Sequence, residues 1–473
     1  MIELTLEQLA NVVGGDLLDG SAAAAVVHGV TIDSRTVAPG DLFVALVGTR
    51  TDGHRYVGQA LAAGAAGALV AADRVDHVVP DAAAVVVDHP GDALLALGAW
   101  VRETADPTVI AVTGSNGKTT TKDLIAAALR DRAVVANEGS FNNELGVPLT
   151  CCRVTRDTEV LVSELGMRGV GQIAELAALL RPSIGIVTSV AAVHLELLGS
   201  IEAIAAAKGE LVEALDPEGV AVLAADDPLV AAMADRTTAR VVTFGRSADA
   251  DFRATGIELD EAARARFVLD SPHGRHDVAV PVAGVHNVGN ALAALAAATA
   301  AGVPLPAAIA GLGGATVSRW RLQLETVDGI RVFNDAYNAN PTSVAAALRT
   351  LCAVPTPGRR WAVLGTMAEI GATSAEEHHR TGRVVADLGV DALVTVGLTA
   401  AGIAEGANAN DPARCGQRWA VDDVETAAGL LADRVAAGDV VLVKASRSAG
   451  LERVVARLAE LRTAGAATGE RCW

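Results

Sequence analysis

The stretch Ala111–Lys122 reads A-V-T-G-S-N-G-K-T-T-T-K. It lies within and just beyond a β-branched run, T-V-I-A-V-T-G from Thr108, that predicts a fully buried strand. A strand ending at Thr113, a loop with two glycines and a helix from about Lys118 make the layout of a phosphate-cradling loop. Gly114 and Gly117 let the backbone wrap closely, and the N–H groups of the loop and helix N-terminus point at an anion. Lys118 brings a point charge for the β- and γ-phosphates, and the Thr119 hydroxyl is placed to bind Mg²⁺. The generic pattern G-x-x-x-x-G-K-[ST] is not met, because Val112 stands where its first Gly belongs. The parts that touch phosphate are present all the same. The bland alternative is a plain strand–turn–helix with an incidental Lys.

Outward from this loop the chain alternates strands and helices. V-V-A-N, E-V-L-V-S-E-L-G and S-I-G-I-V-T-S-V read as strands, with helices near Gln172–Leu180 and over Asn287–Ala301. Such alternation predicts an α/β domain with a mainly parallel sheet and helices on both faces. A third block from Arg319 repeats the theme with R-W-A-V-L-G-T, D-A-L-V-T-V-G and D-V-V-L-V-K-A-S, as a Rossmann-like domain does. Upstream, V-V-H-G-V-T-I-D-S-R and A-P-G-D-L-F-V-A-L-V-G read as strands of a smaller α/β domain, and a helix over Gly91–Thr104 connects the two. The expected organisation is therefore three domains, 1–88, 89–318 and 319–473.

Polar residues collect where the predicted strands end. Glu164 closes V-S-E-L-G, and His194 follows the strand of V-T-S-V-A-A-V-H-L-E. A carboxylate and a His beside a phosphate loop, on the same sheet edge, could hold metal ions that bridge nucleotide and substrate oxygens. Taken alone, either is more often structural. Lys208 sits in I-A-A-A-K-G-E-L, where small neighbours argue for close packing and a surface Lys is the plain alternative. Asn287 opens a helix in A-G-V-H-N-V-G-N and could read a base edge or serve only as a cap. F-N-D-A-Y-N-A-N-P-T-S crowds Asp335, Tyr337, Asn338 and Asn340 into what is at least a rigid turn. V-K-A-S-R-S ends the last strand with Lys444, Ser446 and Arg447, an anion pocket by composition, and I-D-S-R offers another with Ser34 and Arg35.

The bulk composition narrows the class. A formal net charge of −18 argues against a nucleic-acid binder, which needs a basic face. No run of 18 uncharged apolar residues suggests a membrane span. The acidic N-terminus does not read as a secretory signal, and five cysteines without metal spacing fit the cytoplasm. Only four of the 38 basic residues are Lys, at 118, 122, 208 and 444. Where Arg serves as the general cation, a retained Lys points to a compact ammonium or a reactive amine. Lys122 reads as an exposed helix residue; the other three fall in motif-like surroundings.

Together these motifs resemble those of the Mur ligase family. T-G-S-N-G-K-T-T is the loop form that family uses, and D-S-R followed by P-G-D-L-F-V-A and D-G-H is similar to its first domain. N-N-E-L-G-V-P (Asn142–Pro148), I-A-A-A-K-G-E and H-N-V-G-N are similar as well. N-D-A-Y-N-A-N-P-T-S, V-L-G-T-M-A-E-I-G and V-K-A-S-R-S resemble the branch that joins D-alanyl-D-alanine to UDP-N-acetylmuramoyl-tripeptide through an acyl phosphate. The resemblance covers nearly the whole chain. It implies that Thr113, Gly114, Ser115, Asn116, Gly117, Lys118, Thr119 and Thr120 hold ATP phosphates. It further implies that Thr119 and Glu164 hold one Mg²⁺, and that His194 and Lys208 serve a second, Lys208 being open to carbamylation. Lys118, Glu164, His194 and Lys208 would be the catalytic set. Asn287 would face adenine, and Arg319 and Asp335 would reach the nucleotide on closure of the third domain. Ser34 and Arg35 would bind the uridine diphosphate end, Asn142 and Asn143 the muramyl-peptide arm, and Asn338, Asn340, Lys444, Ser446 and Arg447 the dipeptide. A monomer is expected. Two positions depart from the family pattern: Thr366 stands for a usual Asp, and Ser189 for a usual Asn.

Overall fold

The computed structural model describes residues 1–473 except 19, 50, 79–81, 140, 193–194, 409–415 and 469–473, and for 195 and 464–468 the backbone alone. Three principal sheets are arranged in chain order. The first runs Asp16–Leu17, Ala84–Val87, Gly67–Ala71, Asp41–Val44, Gly29–Thr31, parallel except at its first strand. V-V-H-G-V-T does not form one strand. Val26–Val27 pairs antiparallel with Leu4–Thr5, and the chain switches to the main sheet at Gly29, with the His28 N–H held by the Gly40 carbonyl at 2.8 Å.

The central sheet has nine strands. Thr108–Thr113, apolar and fully buried over Ile110–Val112, lies in the middle between Val160–Glu164 and Ile184–Val187, all parallel. Register brings Glu164 opposite Val112 and Val187 opposite Thr113. The phosphate-loop candidate, Glu164 and the Thr188–Ser189 turn therefore leave one sheet edge side by side, where ligands sit in such sheets. Beyond Arg240–Gly245 an antiparallel meander, Phe252–Leu259, Arg264–Ser271 and Gly274–Ala283, extends the sheet.

The helices fall close to expectation: Pro90–Ala105, Lys118–Ala128, Gln172–Leu180, Ile201–Glu213 and Asn287–Ala300. Asn287–Ala300 is Ala-rich because it is buried on nearly every side, packed against Lys118–Ala128. The abundant Ala thus makes interior helix contacts. Among the described residues no helix is long and apolar enough to cross a membrane.

The third sheet runs Gln323–Val327, Ile330–Asp335, Val440–Lys444, Arg360–Leu364, Ala392–Val396, Gln417–Val421, parallel except at the first strand. Register sets Asp335, Lys444 and Leu364 abreast at its carboxyl edge. One continuous apolar core runs from Ile2 to Leu312 through the first two domains. The third domain has two cores, one built around Phe333 and Leu442 and taking in Ala263 and Ala283 of the central domain, the other around Trp361 and Val441. The chain leaves the first core at Val317 and enters the third domain's at Leu322.

Candidate active site

A cleft of about 1590 Å³ opens where the carboxyl edges of the second and third sheets face each other, with Ile32 of the first domain at its rim. The loop geometry follows from its glycines. Gly114 has φ +147°, and a Cβ there would lie 1.9 Å from Thr188 Oγ1; Gly117 has φ +84°, and a Cβ would lie 2.3 Å from Asn290 Oδ1. The loop is clamped from the neighbouring strand end. Ser115 N–H donates to Ser189 O at 2.8 Å, Asn116 N–H to Ser189 Oγ at 3.1 Å, and Thr188 Oγ1 to Asn116 O at 2.6 Å. Ser189, which stands for a usual Asn, thus braces the loop through both backbone and side chain.

Ser115, Asn116, Gly117, Lys118, Thr119 and Thr120 line the cleft; Thr113 and Gly114 lie beneath it. Lys118 Nζ donates to Gly114 O at 2.9 Å. Burial lowers the Lys118 pKa, and the Glu164 carboxylate opposes that shift. Thr119 Oγ1 donates to Glu164 Oε2 at 2.7 Å, and Asn142 Nδ2 donates to Glu164 Oε1, also at 2.7 Å. Hydroxyl and carboxylate are hard oxygen donors. With phosphate oxygens and waters they suit Mg²⁺, which draws few ligands from protein. Among the described residues no trio of His, Cys, Asp or Glu gathers to hold a metal, here or elsewhere. His194 lies outside the described residues.

Lys208 is 2% exposed, lines the cleft and has no hydrogen-bond partner among the described residues. Burial, helped by the charge of Lys118, pushes its pKa well below the usual lysine value. Asn287 is not a cap. Its Nδ2 donates to Ala283 O at 2.7 Å, and its Oδ1 accepts from Asn290 Nδ2 at 2.7 Å. Asn290, one turn on, is the second Asn of H-N-V-G-N and also receives Thr121 Oγ1, so the motif ties the loop helix to the wall of the cleft.

The third domain contributes Arg321, Asp335, Tyr337, Asn338, Asn340, Lys444, Ser446 and Arg447. Asn340 caps the helix Pro341–Ala353 and reaches across to donate to Asn116 Oδ1 at 2.7 Å. Lys444, expected as part of an open anion pocket, is 3% exposed and engaged: its Nζ donates to Asp335 Oδ2 at 2.7 Å and Asn338 O at 2.8 Å. Ser446 Oγ accepts the Ala368 N–H at 2.8 Å, and its own N–H goes to Thr366 O, so position 366 acts here through its backbone. The Arg447 guanidinium lies 4.2 Å over the Trp320 ring.

Two expectations are corrected, those for Arg319 and Lys122. Arg319 is exposed and does not line the cleft. Arg321 does; its Nη2 donates to Thr119 Oγ1 at 2.7 Å and it stacks 4.1 Å from the Tyr337 ring centroid. In S-R-W-R the two arginines look alike, and only the turn geometry separates them. Lys122 is buried, 3% exposed, and donates to Asn137 O at 2.6 Å. Ser34 and Arg35 do not line the cleft. Arg35 is 82% exposed and forks onto Asp33, holding that carboxyl down to about 2. Asn143, exposed, accepts Gly146 N–H at 3.0 Å and lines the cleft.

A phosphate loop, a carboxylate and a buried lysine are thus covered by a third domain bearing an Arg and an Asn-rich turn. Three family models match the chain in succession: Mur ligase family, catalytic domain, over 26–137; Mur ligase middle domain over 112–298; and Mur ligase, glutamate ligase domain, over 320–447. The chain belongs to the Mur ligase family. It is 43% identical to a UDP-N-acetylmuramoyl-tripeptide–D-alanyl-D-alanine ligase of Mycobacterium tuberculosis, over 98% of this chain and 99% of that one. It is 35% identical to the ligase of the same name from Bacillus subtilis, over 97% and 99%. Among Mur ligases of known structure it matches MurF from Acinetobacter baumannii with a TM-score of 0.86 and 33% identity, over 97% and 99% of the two chains. MurF ligase from Thermotoga maritima in complex with ADP matches with a TM-score of 0.79 and 27% identity, over 93% and 98%.

Proposed function

We propose that the protein joins D-alanyl-D-alanine to UDP-N-acetylmuramoyl-tripeptide at the expense of ATP, a step of peptidoglycan precursor synthesis. The observation that carries this reading is the convergence, in one cleft of a single chain, of the phosphate loop, Glu164, Lys208 and the Asn-rich turn of the third domain. The relatives named above support it. A carboxylate does not acylate an amine at neutral pH, because oxide is a poor leaving group. Transfer of the γ-phosphoryl to the tripeptide carboxylate makes an acyl phosphate; the dipeptide amine then attacks the acyl carbon and phosphate departs. Two anions must meet, so cations and N–H groups have to offset their repulsion. Lys118 and the N–H groups of Gly117, Lys118 and Thr119, at the helix N-terminus, are arranged to do so. Bound Mg²⁺ at Thr119 and Glu164 would add charge neutralisation on the phosphate oxygens.

The remaining roles follow from position. Asn287, held by Asn290, stands where it can face the adenine. Arg321 replaces Arg319 as the residue reaching the nucleotide, and its buried Nε, without an acceptor in the structure, is available to a phosphate oxygen. Asp335 positions Lys444, and Lys444 with Asn338, Asn340, Ser446 and Arg447 forms the wall against which the dipeptide lies. Asn142 and Asn143 flank the muramyl-peptide arm. Ser34 and Arg35, two and three residues beyond the cleft-lining Ile32, take the uridine diphosphate end. Lys208, its pKa lowered by burial, is open to addition of CO₂ to its amine with loss of a proton, and the carbamate would with His194 offer donors to a second cation. The enzyme acts as a monomer in the cytoplasm, where Cys151, Cys152 and Cys352 stay free thiols.

The test is phosphate release from ATP with the UDP-muramyl-tripeptide and D-alanyl-D-alanine each omitted in turn. Release is expected to need the tripeptide and to be driven by the dipeptide. Turnover indifferent to the dipeptide refutes the assignment.

A further inference from the structure

The chain passes from the core shared by the first two domains to that of the third over four residues, 318–321. This short hinge is held in an unusual backbone. Trp320 has φ +60° and the adjoining Leu322 φ +49°, both in the left-handed region that costs a side-chain-bearing residue energy. Such a conformation persists only where the surroundings over-determine it. Two of the restraints come from one face of the helix that follows the phosphate loop. Arg321 Nη2 donates to Thr119 Oγ1 at 2.7 Å, and Ser318 N–H donates to Asp123 Oδ2 at 2.7 Å. Thr119 and Asp123 are four residues apart, so the hinge lies along a single helical turn.

Asp123 is itself held. Its other oxygen, Oδ1, lies 2.9 Å from Lys122 Nζ, with the two side chains 11% and 4% exposed. Lys122 also donates to Asn137 O at 2.6 Å. Asn137 in turn accepts the Glu164 N–H on its Oδ1 at 2.9 Å and donates from Nδ2 to Phe141 O, next to Asn142. The pair therefore touches, through one residue each, the strand end that carries Glu164 and the hinge that carries Arg321. A chain that uses Arg for nearly all its cations has placed one of its four lysines here, away from solvent and outside the cleft lining.

We infer that Lys122 and Asp123 are positioning residues that register the third domain on the phosphate loop. The pair fixes Ser318 as the pivot of closure, so that Arg321 and Asn340 arrive on Thr119 and Asn116. This rests on the ligase reading and adds to it a requirement: coupling of phosphate release to amide formation depends on the pair. When closure is out of register, water reaches the acyl phosphate. Water then adds its oxygen to the acyl carbon, the carbon–oxygen bond to the phosphoryl group breaks, inorganic phosphate leaves and the carboxylate is regenerated. ATP is spent without product.

The experiment counts phosphate released per amide bond formed, using ATP, the UDP-muramyl-tripeptide and D-alanyl-D-alanine. The full-length wild type and the variants Asp123→Ala, Lys122→Met and Asp123→Asn are compared. The wild type is expected near one phosphate per amide. Asp123→Ala and Lys122→Met are expected to raise the ratio at least threefold, and Asp123→Asn, whose single oxygen can accept from Ser318 or from Lys122 but not from both, at least twofold. A merely structural pair would lower the melting temperature and the active fraction but leave the ratio alone. A ratio unchanged in both Asp123→Ala and Lys122→Met overturns the inference, and if Asp123→Ala does not fold, Lys122→Met decides alone. Wild-type phosphate release that ignores the dipeptide would instead overturn the ligase reading.

Discussion

Arg321 and Arg319 give the sharpest contrast between the structure and what the sequence suggested, and replacing each by Ala separates them. Arg321 loses two contacts. Its charged hydrogen bond to Thr119 Oγ1 at 2.7 Å contributes about 1.5–3 kcal/mol. Its stacking on Tyr337 at 4.1 Å contributes about 0.5–1 kcal/mol at a partly exposed site. The bond to Thr119 spans the second and third domains and is made only when the cleft is closed, whereas the stack on Tyr337 lies within the third domain and shapes Arg321 in either state. A loss of about 1.5–3 kcal/mol from the closed, reacting state lowers kcat/KM by roughly 10- to 150-fold. The phosphate contact available to Nε adds to this when ATP is bound. Arg319, exposed and outside the cleft, should cost less than threefold. The assay is steady-state amide formation with ATP and dipeptide varied in turn, together with melting temperature to set aside a folding defect. If Arg319→Ala proves as damaging as Arg321→Ala, the placement of the hinge is wrong.

Two further outcomes are expected. Gly117→Ala forces a left-handed φ on Ala, at about 1–2 kcal/mol, and drives Asn290 off its bonds to Thr121 and Asn287. ATP affinity should fall at least about 30-fold, measured by calorimetry, and binding within threefold of wild type would contradict the clamp. Lys208→Ala should lose most activity and recover part of it with bicarbonate or a short carboxylate; near-normal activity without additive would rule out a role at the cations.

Much of the fold was legible because its signals are local. Buried β-branched runs such as Thr108–Thr113 and Val440–Lys444 carry their own period, and the phosphate loop carries its own glycines. Glu164 and the loop could be placed together from sequence because parallel strands share a carboxyl edge. What the sequence did not yield depends on partners far along the chain. Lys444 looks like an anion site in V-K-A-S-R-S, yet Asp335, more than a hundred residues earlier, engages it at 2.7 Å. Lys122 looks like an exposed helix residue until Asn137 and Asp123 close over it. The antiparallel meander Phe252–Ala283 does alternate buried and exposed residues, as over Arg264–Ser271, but its pairing slips near Thr255 and Arg264, where the register shifts.

Val112 shows how a departure from a motif becomes intelligible in three dimensions. A generic phosphate loop has Gly at this position. Here Val112 is fully buried in the central strand, in register with Glu164 on one side and Ile186 on the other. The strand therefore continues through the position where the generic loop already turns. The need for a glycine has not vanished but moved to Gly114, where φ is +147° and a Cβ would meet Thr188 Oγ1 at 1.9 Å. Thr188 is the same residue whose hydroxyl holds Asn116 O, and Asn116 is what Asn340 of the third domain touches. The shortened loop thus sits tightly against the neighbouring strand end and offers its Asn to the closing domain. A loop built for a longer turn would stand off Thr188 and leave Asn340 without its partner. The displaced glycine is in this sense part of the coupling between phosphate binding and closure.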